Sequence, residues 1–248
     1  ILEVKDLCSD VFENVSFTVR RGEICGIGGL VGAKRTEILE CIYGMRPIKS
    51  GKIFVYGKEF VPTSQKAAID QEIGFVTEDR KRNGLVLCLP VNDNVNMVNA
   101  GKICSKNGIL DHKMFQELTE KYRKALNIRL ASIMQPISTL SGGNMQKVAI
   151  AKWMEMDPQI ILFDEPTRGI DIGAKAEIYT IMAKLVRKGA AIVMVSSELP
   201  ELISVTDKIV VMCEGHMTGT VSHEDATQER IMTLASSKNV NEGDAVNE

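Results

Sequence analysis

The chain has 248 residues, 44% of them hydrophobic, with 30 lysines and arginines against 32 acidic residues and a net charge of −2. Such a composition is globular, large enough for one substantial core or two smaller lobes, and gives no sign of a protein that binds nucleic acid through bulk positive charge. The longest purely apolar runs, 160–163 and 190–195, fall far short of the roughly 18 residues that suggest a membrane-spanning helix.

Residues 1–7 and 12–19 alternate apolar and polar side chains as half-buried strands do, with an irregular segment at 8–11 between them. Arg21-Gly22-Glu23 is a turn, and 24–27 is a short apolar run of the buried-strand kind. It leads into Gly28-Gly29-Leu30-Val31-Gly32-Ala33-Lys34-Arg35-Thr36-Glu37. A phosphate-binding loop in this position reads G-x-x-x-x-G-K-[ST], its glycines letting backbone N–H groups wrap the phosphates while the lysine reaches the outer ones. Gly29 and Thr36 fit that pattern, but Lys34 stands where the last glycine belongs and Arg35 where the lysine belongs. Ile38, Leu39, Ile42 and Tyr43 then recur at helical spacing until Gly44, with Pro47 beyond.

A strand and turn follow over 50–57, and a buried strand over 73–76. From about residue 85 to 137 the pattern turns helical, with Met114, Leu118, Tyr122 and Leu126 marking a helix within 111–127. Ser141 caps a helix carrying Met145, Val148, Ala149, Lys152 and Trp153. Strand and helix then alternate: 160–163, 174–188, 191–195, 200–205 and 208–212, a turn at Glu214-Gly215 into a last strand, and a closing helix over 225–235. This alternation predicts an α/β fold with a mostly parallel sheet covered on both faces. The polar tail over 237–248 is expected to be disordered.

Cysteines at 8, 25, 41, 88, 104 and 213 form no C-x-x-C pair and read as reduced core residues. Met145, Trp153, Met154 and Met156, with Met182, Met194 and Met212, are expected in the core. His112, His216 and His223 lack ligand spacing, so no metal is expected beyond one carried by a nucleotide. The chain starts at Ile1 directly in a strand pattern, as expected of a piece cut from a longer polypeptide.

Two further stretches carry chemistry. Four apolar residues over 160–163 deliver Asp164 and Glu165 to the end of a buried strand, where open parallel sheets bind ligands. There Asp164 would hold Mg²⁺ and Glu165 would orient or activate the attacking water of a phosphoryl transfer; an ordinary acidic turn is the competing reading. Leu140-Ser141-Gly142-Gly143-Asn144-Met145-Gln146 puts two glycines in the first turn of a helix. Its exposed N–H groups and dipole favour an anion, and the glycines suggest a close approach.

Taken with the carboxylate pair some twenty residues later, this resembles the ATP-binding domain of ABC transporters over essentially the whole chain to about residue 236. The resemblance implies a P-loop NTPase (RecA-like) core, an N-terminal antiparallel β-subdomain and an inserted α-helical subdomain at about 85–150. It implies ATP and Mg²⁺ as cofactors. The nucleotide would be held by Gly29, Gly32, Ala33, Lys34, Arg35, Thr36 and Glu37, and the metal by Thr36 and Asp164. Ser141, Gly142, Gly143, Asn144 and Gln146 would form the signature, Asp171 the loop that signals to the opposite domain, and Glu165 the catalytic glutamate. Because such domains work head-to-tail, each signature completes the other domain's site.

Departures from the family pattern concentrate on one site. Glu78 replaces the usual γ-phosphate-sensing glutamine and Ser197 the switch histidine, and the aromatic residue that stacks on adenine has no clear counterpart in the short segment 8–12, where Phe12 is a weak candidate. Arginine cannot simply replace the loop lysine, and a non-glycine in the glycine-like conformation at Lys34 costs on the order of 1 kcal/mol. The loop, the run Glu78-Asp79-Arg80-Lys81-Arg82, the signature and Ser196-Ser197-Glu198-Leu199-Pro200-Glu201 resemble the second domain of fused monosaccharide-importer subunits, most like the galactose/methyl-galactoside type. The implied partners are an N-terminal ABC domain, transmembrane permease subunits and, indirectly, a periplasmic or extracellular sugar-binding protein. No nucleic acid is implied, and the expected location is the cytoplasmic face of the bacterial membrane. The run Arg80-Lys81-Arg82 reads either as a solvated charge run or as a contact with the membrane subunit. A regulatory module without hydrolysis and a nucleic-acid-associated ATPase are the alternative functions.

Overall fold

A computed structural model describes residues 1–103 and 111–237. Cys104 and the tail beyond residue 237 lie outside them. Two strands open the chain, β1 (Leu2–Cys8) and β2 (Val15–Val19), followed by β3 (Ile24–Gly29), α1 (Arg35–Ile42), β4 (Ser50–Val55) and β5 (Lys58–Phe60). Next come α2 (Gln65–Asp70), β6 (Ile73–Val76), a π-helical turn (Arg80–Gly84), and the helices α3 (Val91–Asn96), α4 (Ala100–Ile103), α5 (His112–Ala125) and α6 (Gly142–Met154). The last third holds β7 (Ile160–Asp164), α7 (Ile172–Arg187), β8 (Ala191–Val195), α8 (Leu199–Val205), β9 (Lys208–Cys213), β10 (His216–Ser222) and α9 (Gln228–Ser236).

The strands make two sheets. Antiparallel β2-β1-β4-β5 forms the first, its alternating burial along β2 matching one covered face. The second has the order β10-β9-β3-β8-β7-β6, all parallel except the β10/β9 pair. β6, β7 and β8 are buried at every position, as strands covered on both faces must be, and this explains their unbroken apolar runs. One apolar cluster joins the first sheet to the parallel core; a second, of Leu202, Ile209, Val211, Val221, Ile231 and Ala235, packs beneath α8 and α9. Trp153 and the six methionines expected in the core fall as expected: Trp153, Met145, Met182, Met194 and Met212 are buried, and Met154 and Met156 pack against the core.

Several local expectations shift. β5 and α2 are too short to register as periodic patterns. In α5 the inward stripe is Phe115, Thr119 and Tyr122, continuing to Leu126, whereas Met114 is 45% exposed. A buried threonine hid this stripe, because an apolar periodicity search passes over a hydroxyl. Cys88 is exposed rather than in the core. Phe12 is 2% exposed, sunk into the core as the chain returns towards β2, so it offers no face to a stacking base. Among the described residues no helix is long and apolar enough to cross a membrane, and no group of ligating side chains could hold a metal ion by itself.

Candidate nucleotide site

Parallel strands β3, β8 and β7 lie side by side and end on one edge of the sheet, which brings together three loops far apart in sequence. The loop after β3 turns through Gly29 (φ +154), Gly32 (φ +87) and Lys34 (φ +69). A Cβ on Gly29 would meet the Met212 carbonyl oxygen at 2.4 Å, so no side chain fits there. Lys34 takes the left-handed conformation (φ 69, ψ 36) as the residue before α1, with no side-chain cap. It therefore carries the backbone strain expected of a lysine in a glycine position. Its ammonium, partly exposed, pairs with Glu37 at 3.5 Å.

Thr36 and Asp164 meet beneath the loop. The Thr36 hydroxyl donates to Asp164 Oδ1 at 2.9 Å, and Asp164 is 2% exposed. Burial pushes the Asp164 carboxyl up to about 6, against the opposing pull of the Thr36 hydrogen bond. A hydroxyl and a carboxylate are the hard oxygen ligands magnesium takes when phosphates and water complete its shell, so this pair fits the expected metal.

Arg35 and Glu165 form the second pairing. Arg35 Nη1 donates to the Ser196 carbonyl at the end of β8 at 2.6 Å, and Nη2 lies 3.9 Å from Glu165 Oε1. Burial lowers the arginine's affinity for its proton, with Glu165 the largest opposing influence. Ser197 Oγ donates to Glu165 Oε2 at 3.1 Å. Glu165 itself has φ +47, a strained turn held by its N–H to the Val195 carbonyl at 3.0 Å.

Sequence reasoning missed a brace behind this edge. Glu201 is 5% exposed and accepts hydrogen bonds from Thr167 Oγ1 at 2.6 Å and from Ser196 Oγ. It thereby ties the chain just past Glu165 to the end of β8. Its one signal was a glutamate on an otherwise apolar helix face. Glu78 is placed elsewhere: it pairs with Arg168, while Arg80 donates to the Arg168 carbonyl at 3.1 Å and the Gly169 carbonyl at 3.5 Å. Arg80 is therefore not part of a solvated run, though Lys81 and Arg82 are exposed, their N–H groups capped by Asp79.

The signature residues line a different hollow. A cavity of about 190 Å³ is bounded by Ser141, Gly143, Asn144, Lys147, Asp171 and Glu177, among others. Ser141 Oγ accepts from Asn144 N–H at 3.4 Å and its side-chain amide at 3.0 Å, and Asp171 caps α7 through Ala174 N–H at 2.9 Å. The close approach foreseen for the glycines is internal: a Cβ on Gly143 would stand 2.6 Å from Ala174 Cβ, and one on Gly142 would stand 3.0 Å from the Arg80 guanidinium. Helices α6 and α7 thus begin against each other and direct two positive dipole ends towards the hollow. Gln146, on the buried side of α6, is 1% exposed, its amide without a partner.

A glycine-turned loop after a central parallel strand, with a hydroxyl–aspartate pair beneath it and a glutamate beside it, defines a P-loop cassette. The chain belongs to the ABC transporter family, whose model matches residues 12–168. It is similar to the "Ribose import ATP-binding protein RbsA" of Bacillus cereus, 48% identical over 224 residues that cover 90% of this chain and 45% of that protein. It is also similar to the "Putative ribose/galactose/methyl galactoside import ATP-binding protein 3" of Burkholderia ambifaria, 44% identical over 238 residues covering 96% and 46%. The chain therefore spans a little under half the length of these relatives. A solved ATP-binding cassette of an ABC transporter shares the fold, with TM-score 0.81 at 18% identity over 96% of this chain and 99% of that one.

Proposed function

We propose that this domain is the C-terminal ATP-binding half of a two-domain subunit that energises monosaccharide import. The observation that carries it is the convergence of Thr36 with Asp164 and of Arg35 with Glu165 and Ser197 on one sheet edge. ATP is held by the N–H groups of Gly29 to Glu37 and by Lys34. Thr36 and Asp164 hold the magnesium ion, which neutralises phosphate charge when bound. Glu165, with Ser197, stands in the catalytic positions, while Glu78 is held apart on Arg168, and the domain's own site turns over slowly. Ser141, Gly142, Gly143 and Asn144, backed by Gln146 and Asp171, complete the competent site of the N-terminal ABC domain.

On this reading closure of the two domains drives permease subunits at the cytoplasmic membrane face, which receive sugar from an external binding protein. The loop sequence favours a galactose or methyl-galactoside importer, and the names of the relatives keep ribose as the near alternative. ATPase turnover of this chain, measured beside that of the two-domain subunit, is the test. The expected result is turnover lower by about tenfold or more, as for loss of one electrostatic group in a phosphoryl-transfer site. Equal turnover removes the slow-site assignment.

A further inference from the structure

Both cations of the phosphate loop are already neutralised by carboxylates of the same chain. Lys34 pairs with Glu37 in the first turn of α1, and Arg35 turns inward towards Glu165. The Arg35 and Glu165 side chains are only 11% and 9% exposed. The guanidinium is anchored at 2.6 Å on the Ser196 carbonyl, and the far oxygen of Glu165 is anchored at 3.1 Å by Ser197. Four groups from three loops therefore close the ground between the start of α1 and the ends of β7 and β8.

That ground is where the last phosphate of a bound triphosphate belongs. Phosphates on this loop lie against the N–H groups at the start of α1, and the terminal one must lie on the side of Thr36 and Asp164, next to Glu165. To enter, it must draw Arg35 off the Ser196 carbonyl and bring its negative charge against Glu165, a buried carboxylate that would lose its cation. A diphosphate meets the same N–H groups without disturbing this pair.

We propose that Arg35 is a specificity-determining residue for phosphate number, letting this site take a nucleoside diphosphate about as readily as the triphosphate. The proposal rests on the loop being a nucleotide site, and binding separates the two ideas. Calorimetry with ADP and with ATP, both in the presence of Mg²⁺, is run on this chain and on Arg35→Lys. The expected wild-type affinities agree within about threefold, and the lysine variant, whose point charge can reach phosphates without holding Ser196, shifts the ratio towards ATP by about tenfold or more. A wild-type preference for ATP of about tenfold or more overturns the proposal, whether or not the variant folds. An unchanged ratio in a folded variant, shown by its circular dichroism, also overturns it. Binding of neither nucleotide by the wild type removes the nucleotide reading itself, and the proposal with it.

Discussion

Glu155, at the end of α6, holds both carboxylate oxygens buried and without a hydrogen-bond partner. Burial lifts its carboxyl from 4.5 to about 7, against the pull of Lys121. Between those values the folded chain holds this proton more tightly than the unfolded chain, so stability falls as pH rises through the window. Since the side chain is only half buried, the loss is about 1–2 kcal/mol after allowance for solvent screening. Glu155→Gln stays neutral throughout. It is expected to exceed the wild type by that ~1–2 kcal/mol at about pH 8 and to lose the advantage as pH falls towards 4.5, read by urea denaturation. Equal stabilities at the higher pH would contradict the burial assignment. At this scale the sequence was uneven. Thr36 and Asp164 were legible because a loop and a strand end carry local spacing rules, whereas the orphaned Glu155 depends on what surrounds the end of a helix.

Helices α3 and α5 are joined by polar groups. Asn96 Nδ2 donates to Thr119 Oγ1 at 2.9 Å and to the Asn92 carbonyl at 2.7 Å, while Thr119 Oγ1 donates to Asn92 Oδ1 at 3.0 Å. Asn96 is 0% exposed and Thr119 1%. Thr119→Val keeps the shape but strands Asn92 Oδ1 and removes one of the acceptors of Asn96 Nδ2, an expected cost of about 1–3 kcal/mol, measured as a lower denaturation midpoint with an unchanged slope. A neutral outcome would mean that water replaces the hydroxyl. The segment Val91-Asn92-Asp93-Asn94-Val95-Asn96 reads as surface by composition, yet all but Asp93 are buried. The inward side of this element was therefore only partly legible, since Val91 and Val95 pack in the core but Asn92, Asn94 and Asn96 are held inside by hydrogen bonds. The strands β7, apolar up to its final Asp164, and β8, apolar throughout, were placed within a residue of their observed ends.

Across the whole molecule, the parallel sheet is clamped from its other face by the cluster under α8 and α9. Ile231 is 0% exposed within it. Ile231→Ala is expected to cost about 2–4 kcal/mol, seen as a lower melting temperature, and an unchanged melting temperature would show that α9 is dispensable to the core. The alternation of strands and helices made the sheet's class readable, but its order depends on pairings across most of the chain. β3 has both its neighbours, β8 and β9, in the last third of the sequence. This has a consequence for how the chain is born. On a ribosome adding ~5–20 residues per second, β3 waits roughly ten to forty seconds for β9 to be made. The antiparallel sheet, whose strands end at Phe60, can close long before. Within this domain the phosphate loop is thus among the first segments made and among the last to be held in place.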